Sequence, residues 1–225
     1  MANCSFYLIL YREDTTEKFF RPKSIMLDHK INTTINPMMN ILANHIPRKI
    51  SANTITLAGF AVGVMVVPLL SLKLYSAAMV VILINRFFDG LDGAVARKKG
   101  PTALGGYLDI TCDFIFYSAV IMGFALSDPE NNSLAAAFLI FSFIGTGSSF
   151  LAFAVAAEKQ DISSDVSVRK SFYYLGGLTE GTETIMFFVV ICMFPASFPV
   201  MAVLFGIICW ITVLGRFGSA YSLLR

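Results

Sequence analysis

The sequence predicts an all-α polytopic membrane protein with six transmembrane helices and an N-terminal amphipathic interfacial helix. Of its 225 residues, 56% are hydrophobic and only 14% are charged, and the mean hydropathy is +0.70. These values are too apolar for an ordinary soluble domain. Apolar runs of about 20 residues, enough to cross a bilayer as a helix, recur along the chain. Within a membrane domain at 48–225, we place the spans at 52–72, 74–96, 103–126, 133–157, 172–195 and 198–222.

Basic residues flank these spans mainly on one side of the membrane. On that side stand Arg48, Lys49, Arg97, Lys98, Lys99, Lys159, Arg169 and Lys170. The opposite side carries only Lys73. Because basic flanks favour the cytoplasm, we expect both termini there, and in a bacterium the protein would lie in the cytoplasmic (inner) membrane. The net charge of +2 is too small to indicate a nucleic-acid partner.

The N-terminal part of the chain divides into two segments. Residues 1–25 lack a packing pattern, so we expect an extension outside the fold, with Met26 as the functional start. Over 26–47, apolar residues such as Met38 and Leu42 recur at helical spacing opposite polar ones. This pattern predicts a helix in the membrane interface, with packing of a soluble helix on a partner as the alternative.

Four carboxylates stand out between positions 89 and 113. Asp89 and Asp92 are three residues apart and Asp109 and Asp113 are four apart, so two helices would each present one pair from a single face. Charges in or beside apolar spans are unfavourable unless compensated, so the four acids predict a metal site. Carboxylate oxygens favour Mg²⁺, Mn²⁺ or Ca²⁺ over zinc. We expect the cysteines, Cys112 included, to be small buried hydrophobes rather than ligands.

The same segment resembles the signature of the CDP-alcohol phosphatidyltransferases. That signature reads Asp-x-x-Asp-Gly-x-x-Ala-Arg, a short gap, and then Gly-x-x-x-Asp-x-x-x-Asp. The matching residues here are Asp89, Asp92, Gly93, Ala96, Arg97, Gly105, Asp109 and Asp113. The hydrophobic layout agrees with the family along most of the chain. The resemblance therefore implies a membrane enzyme of phospholipid biosynthesis.

The resemblance implies transfer of a phosphatidyl group from a CDP-alcohol, such as CDP-diacylglycerol, to a hydroxyl acceptor, with release of CMP. Asp89, Asp92 and Asp109 would bind Mg²⁺ or Mn²⁺. Asp113 would be the general base and also a ligand of the second of two ions. A dianionic diphosphate approaches clustered carboxylates only when cations neutralise both. The resemblance also implies a homodimer in the lipid bilayer.

Several residues are candidates for contacts with the nucleotide or the CDP-lipid. They are Asn53, Thr56, Gly93, Ala96, Arg97, Thr102 and Gly105. The residues without bulk would admit the nucleotide, although small residues also serve helix packing. Arg97 would pair with phosphate oxygens, or would only set topology, as we expect of the two lysines after it. In the short gap, either Thr102 or Ala103 would face the diphosphate.

Upstream, the segment from Ser51 to Thr56 resembles the family's Pro-Asn/Asp-x-x-Thr start of the first span, with Ala52 in place of the proline. Asn53 and Thr56 would contact the nucleotide, or would cap the helix. Both roles suit polar side chains at a helix start, so the pattern leaves both open.

The candidates for an acceptor pocket are Glu180, Glu183, Arg169, Lys170 and Arg216. The two glutamates are three residues apart near the cytoplasmic end of the fifth span, so they share a helix face. They would favour a cationic acceptor, whereas the basic residues would suit a phosphorylated one. Alternatively, the glutamates form salt bridges with Arg86 or Arg216. The acceptor alcohol stays open.

Two other classes of protein fit parts of the pattern. A divalent-cation transporter also carries acids in the membrane, but it should place them near the midplane with access from both sides. Ion passage also does not need the glycine and arginine pattern around the acids. A catalytically silent scaffold would keep the fold, and the intact signature argues against it.

Overall fold

The computed structural model describes residues 37–47, 49–159 and 181–223, and every regular element in these ranges is a helix. In chain order they are α1 at 37–45, α2 at Ala52–Val64, α3 at Val66–Ser71, α4 at Tyr75–Lys99, α5 at Ala103–Ser127, α6 at Pro129–Lys159, α7 at Gly181–Met193 and α8 at Phe198–Leu223. A 3₁₀ turn at Pro195–Ser197 joins the last two. The predicted all-α architecture is confirmed for this part of the chain.

Within the described ranges, four stretches are long and apolar enough to cross a membrane. They are Ala52–Ser71, Ala103–Ser127, Pro129–Ala156 and Pro195–Ser222. They coincide with four of the six predicted spans. Helix α4 is 25 residues long, but acidic and basic residues in its C-terminal half lower its hydropathy, and α7 has 13 described residues. The protein is therefore an integral membrane protein, and the count of six spans stays a prediction.

The first predicted span is not one continuous helix. Helix α2 ends at Val64 and α3 begins at Val66, with Met65 between them. Pro68 explains the break, because it lacks an amide hydrogen and its ring clashes with the carbonyl four residues earlier in a regular α-helix. The amide of Met65 bonds instead to the carbonyl of Val62 at 3.1 Å, which tightens the last turn of α2.

Helix α1 packs on the protein through a face other than the one its pattern suggests. Met39 and Ala43 are 4% and 1% exposed, in a cluster that includes Leu91 of α4. Met38 and Leu42, from the predicted apolar face, are exposed. An exposed apolar face beside a membrane domain suits a helix that lies in the interface. The N-terminal part of the predicted helix and the extension before it lie outside the described residues.

The core is centred on α5. Its Phe116, Val120 and Phe124 are fully buried in the main apolar cluster, and α5 packs against α2, α3 and α6. Phe124 stacks on Phe198 of α8 with ring centroids 4.7 Å apart. In a bilayer such contacts stabilise the fold mainly through close van der Waals packing, because lipid tails are as apolar as these side chains. This apolar layer occupies the half of α5 that follows its acidic residues.

Helices α2 and α4 approach each other closely. A Cβ added to Gly59 would lie 2.5 Å from Cβ of Phe88, so only glycine fits there. The amide nitrogen of the Asn85 side chain donates to the Gly59 carbonyl at 3.0 Å. A buried amide with a partner avoids the penalty of an unsatisfied polar group. This contact brings the start of α2 beside the acidic half of α4.

A short turn connects α4 to α5. Helix α4 ends at Lys99, and Gly100 is its C-cap residue, whose φ of +96° is a conformation that favours glycine. Thr102 is the N-cap of α5, and its hydroxyl accepts the amide hydrogen of Gly105 at 3.0 Å. The acidic pair of α4 precedes this turn and the acidic pair of α5 follows it, at similar distances along the chain.

Candidate metal centre and nucleotide cavity

Three of the predicted acids converge between α4 and α5. Asp89, Asp92 and Asp109 each offer an oxygen, and these oxygens all lie within 4.8 Å of one another. Protein oxygens bind Mg²⁺ or Ca²⁺ at about 2.0–2.6 Å, so oxygens that share one ion lie within about 5 Å of each other. The donor set consists of hard carboxylates, and its spacing fits a divalent cation.

Asp113 lies beside this group, one helical turn further along α5 than Asp109. It lines the same small cavity as the other three acids. The hydroxyl of Tyr117 donates to Oδ2 of Asp113 at 3.5 Å, a long hydrogen bond. Tyr117 is itself buried among aromatic rings. The four acids thus share one cavity, and Asp113 lies on its side towards the apolar core.

Asp92 and Asp89 also have partners that were not predicted from the sequence. Thr56 of α2 donates to Oδ2 of Asp92 at 2.5 Å, and Arg86 forms a salt bridge with Oδ2 of Asp89 at 2.7 Å. The pairing of Arg86 had a signal in the sequence, because residues three apart face each other on a helix. The pairing of Thr56 had none, because 36 residues separate it from Asp92.

A larger open cavity, with about 770 Å³ of empty space, adjoins the acids at the start of α2 and α5 and the end of α4. The predicted nucleotide residues that line it are Asn53, Thr56, Gly93, Ala96, Thr102 and Gly105, next to Asp92 and Asp109. Arg97 is exposed on the last turn of α4 and is not part of this lining. The cavity therefore joins a polar wall from α2 to the carboxylate cluster.

The cap of α2 is neither Asn53 nor Thr56. Ser51 is the N-cap residue, and its hydroxyl accepts the amide hydrogen of Thr54 at 3.2 Å. Asn53 instead faces α5, where its Oδ1 lies 3.1 Å from the position of a Cβ on Gly105. The capping alternative is therefore wrong for both residues, and their side chains belong to the cavity.

Two residues of the site were misjudged from the sequence. Lys99, assigned only to topology, lines the larger cavity and donates to the carbonyls of Pro47 and Ile50. Cys112, expected to be a buried hydrophobe, is half-buried and lines the small cavity beside Asp113. Neither position had a local signal, since lysines commonly flank spans and cysteines commonly fill apolar helices.

The acceptor candidates lie partly outside the described residues, namely Arg169, Lys170 and Glu180. Glu183 is half-buried in the first turn of α7, which packs on α4. Arg216 of α8 is buried, donates to the carbonyl of Thr146 at 2.8 Å, and lies over the ring of Phe150. Neither Glu183 nor Arg216 lines either of the two cavities above.

Comparison with known proteins agrees with the family resemblance of the acidic segment. The model of the CDP-alcohol phosphatidyltransferase family matches residues 49–217. The inner membrane protein YnjF of Escherichia coli K12 is 51% identical over 201 residues, which are 89% of this chain and 98% of that protein. The archaetidylinositol phosphate synthase of Pyrococcus horikoshii is 32% identical over 78 residues, 34% of this chain and 42% of that enzyme.

A solved structure shares the fold. The phosphatidylinositol phosphate synthase PgsA1 of Mycobacterium tuberculosis, crystallised with CDP-DAG bound, matches with a TM-score of 0.61 at 21% identity. The match covers 83% of this chain and 94% of that one. Together with the match of the family model over most of the sequence, these findings show that the chain belongs to the CDP-alcohol phosphatidyltransferase family.

Proposed function

We propose that this protein transfers a phosphatidyl group from a CDP-alcohol, such as CDP-diacylglycerol, to a hydroxyl acceptor and releases CMP. The observation that carries the proposal is the convergence of Asp89, Asp92 and Asp109, whose oxygens lie within 4.8 Å of one another, with Asp92 and Asp109 in the wall of the larger open cavity. The bound CDP-DAG of the similar mycobacterial synthase supports the choice of donor.

Asp89, Asp92 and Asp109 would hold the divalent cations, Mg²⁺ or Mn²⁺, with Asp113 as a further ligand to the second of two ions. When bound, such ions neutralise the diphosphate and stabilise the charge that develops on the leaving CMP. The remaining roles fall to the chain itself. Arg86 and Thr56 orient the carboxylates of Asp89 and Asp92 by their ion pair and hydrogen bond.

Asp113 is the proposed general base. It takes the proton of the acceptor hydroxyl, whose oxygen forms a bond to the β-phosphorus while the bond from that phosphorus to the CMP oxygen breaks. The electron pair of the broken bond leaves with CMP. A general base must come within about 2.6–3.2 Å of the hydroxyl oxygen. The hydrogen bond from Tyr117 helps to orient Asp113 for this role.

The larger cavity would hold the cytidine diphosphate. Gly93, Ala96 and Gly105 lack bulk along its lining, so the nucleotide can approach the helix backbones. Asn53 and Thr102 supply polar groups on the same lining. Arg97 would pair with phosphate oxygens from the adjoining end of α4.

The acceptor would enter beside α7 and α8. Glu180 and Glu183 would bind a cationic acceptor, whereas Arg169, Lys170 and Arg216 would bind a phosphorylated one. The reaction is the same with either kind of acceptor. A screen with cationic and phosphorylated alcohols distinguishes the two arrangements.

We further propose a setting for the enzyme in the membrane. The six spans and an interfacial helix over 26–47 would lie in the inner membrane of a bacterium, with both termini and the active site towards the cytoplasm. The exposed Met38 and Leu42 on α1 support contact with lipid. Residues 1–25 would be an extension outside the fold, and the enzyme would act as a homodimer.

A divalent-cation transporter is less well supported by the fold. Beyond Asp113, α5 continues into Phe116, Val120 and Ile121, which are at most 1% exposed in the apolar core. A cation would have to cross this dry layer, and burial of an uncompensated charge there is strongly unfavourable. The carboxylate cluster is better suited to chemistry from one side of the membrane.

The test is a product screen with the purified full-length protein in lipid nanodiscs. Each reaction contains CDP-diacylglycerol, Mg²⁺ or Mn²⁺, and one alcohol from a panel of neutral, cationic and phosphorylated alcohols. Release of CMP and formation of the lipid product are measured. We expect metal-dependent CMP release with one acceptor class. Asp89→Asn should lose it, whereas Glu130→Gln, an exposed acid in the first turn of α6, should retain it. Absence of CMP release with the whole panel would refute the proposal.

A further inference from the structure

We propose that Lys99 is a positioning residue for the nucleotide side of the site, because its ammonium group holds the turn from which helix α2 starts. The inference rests on the proposed function, since it concerns a wall of the same cavity. Lys99 is the last residue of α4 and lies outside the family signature. Its role therefore does not follow from the matched residues.

The ammonium of Lys99 donates to two backbone carbonyls in the connection between α1 and α2. The acceptors are the oxygens of Pro47, at 3.2 Å, and Ile50, at 2.5 Å. The Pro47 oxygen also accepts the amide hydrogen of Ile50 at 3.1 Å, which closes a turn. Ser51, the N-cap of α2, follows this turn directly. Lys99 thus ties the end of α4 to the beginning of α2.

The beginning of α2 forms a wall of the larger cavity. Asn53 lies against the backbone of α5 at Gly105, and Thr56, less than one turn later, bonds to Asp92. Both contacts depend on where α2 begins, because a helix moves nearly as a rigid body over one or two turns. A displaced turn would therefore shift Asn53 relative to Gly105 and Thr56 relative to Asp92.

A lysine suits this role better than a neutral side chain. Hydrogen bonds from a charged donor are stronger than those from a neutral one, and the ammonium has enough donors for both carbonyls. Arginine also carries several donors and a permanent charge, so it should replace Lys99 in part. Methionine has a similar length and no donor. Lys98, exposed one position earlier, is the matched control.

The experiment compares Lys99→Met, Lys99→Arg and Lys98→Met in the full-length protein in nanodiscs. Hydrogen–deuterium exchange of the amides of 49–55 is measured without ligand, and CMP release is measured against CDP-diacylglycerol concentration. For Lys99→Met we expect exchange in this segment and KM for the CDP-lipid each to rise by about tenfold, the scale of one lost hydrogen bond from a charged group. We expect kcat to change by less than about twofold, Lys99→Arg to recover most of both effects, and Lys98→Met to match the wild type.

Unchanged exchange of 49–55 in Lys99→Met overturns the inference, even if KM rises. A rise in KM without a change in exchange would indicate that Lys99 contacts the phosphates of the CDP-lipid directly. Equal effects in Lys98→Met also overturn it, since a general loss of positive charge would suffice. Failure of the proposed function has a different signature, namely no CMP release from the wild type. In that case the exchange comparison still decides whether Lys99 holds the turn.

Discussion

The hydroxyl of Thr56 donates a hydrogen bond to Oδ2 of Asp92 at 2.5 Å, across the contact between α2 and α4. Asp92 is 6% exposed, and a carboxylate buried to this extent requires hydrogen-bond partners. The bond fixes the rotation of the Asp92 carboxylate, which shares the cluster with Asp89 and Asp109. A residue that lines the larger cavity is in this way coupled directly to the candidate metal centre.

We predict that Thr56→Val lowers kcat for CMP release by about tenfold and raises the metal concentration needed for half-maximal activity. Valine keeps the shape of threonine but removes the donor, and one hydrogen bond to a charged group contributes about 1.5–3 kcal/mol. Thr56→Ser keeps the hydroxyl and should stay near the wild-type values. Titration of Mg²⁺ or Mn²⁺ against CMP release measures both effects. Wild-type metal dependence in Thr56→Val would show that this bond does not orient Asp92 for binding.

Asp113→Asn should abolish transfer and leave metal-dependent binding of the CDP-lipid largely intact. Asparagine has a similar shape but cannot take a proton. Asp89→Asn, in contrast, should weaken both binding and transfer, because it removes a carboxylate from the cluster of three. Calorimetric binding of CDP-diacylglycerol with Mg²⁺, beside CMP release, separates the two outcomes. Full activity in Asp113→Asn would rule out its assignment as the base.

The double change of Glu180 and Glu183 to Gln distinguishes two roles. If the glutamates bind the acceptor, KM for the acceptor should rise far more than KM for the CDP-lipid, with little change in kcat. If they instead compensate Arg86 or Arg216, the variant should lose about 3–5 kcal/mol of stability. A lowered melting temperature with an unchanged acceptor KM would reject the pocket role. Gln at the exposed Glu130 serves as the control for loss of one acid.

Gly59→Ala should destabilise the protein by about 1–3 kcal/mol, the usual effect of overpacking a tight contact. The added Cβ would lie 2.5 Å from Cβ of Phe88, so α2 and α4 must separate. Gly218→Ala is the matched control, because none of the residues that the structure describes comes within 4 Å of its added Cβ. It should be neutral or slightly stabilising, since alanine favours a helix. Thermal unfolding in detergent measures both, and equal melting temperatures would contradict the close contact.

A chain that starts at Met26 should insert into the membrane and release CMP as the full chain does. The amphipathic pattern begins at Met26, and residues 1–25 have no comparable pattern. Membrane fractionation and CMP release of the truncated protein provide the measurement. Loss of either property would assign residues 1–25 a role in assembly or catalysis.

Local patterns in the sequence were sufficient for the helical membrane class, four of the spans and the positions of the four acids. Run length and hydropathy identify a helix that can cross a bilayer, and helical spacing places Asp89 and Asp92 on one face. These properties depend only on residues close together in the sequence, so they can be predicted without knowledge of the fold. The break at Met65 and the pairing of Arg86 with Asp89 also had local signals, in Pro68 and in the spacing of three.

Tertiary structure alone decided how the helices that carry these residues meet. The bonds of Thr56 to Asp92 and of Lys99 to Pro47 and Ile50 join positions 36, 52 and 49 residues apart. Cys112 is a further example. The sequence places it in an apolar helix, and only the packing of the helices places it in the lining of the small cavity beside the acids. Such contacts depend on the rotation and depth of each helix, which are set by the packing of many side chains together. No local sequence pattern encodes the rotation and depth of each helix.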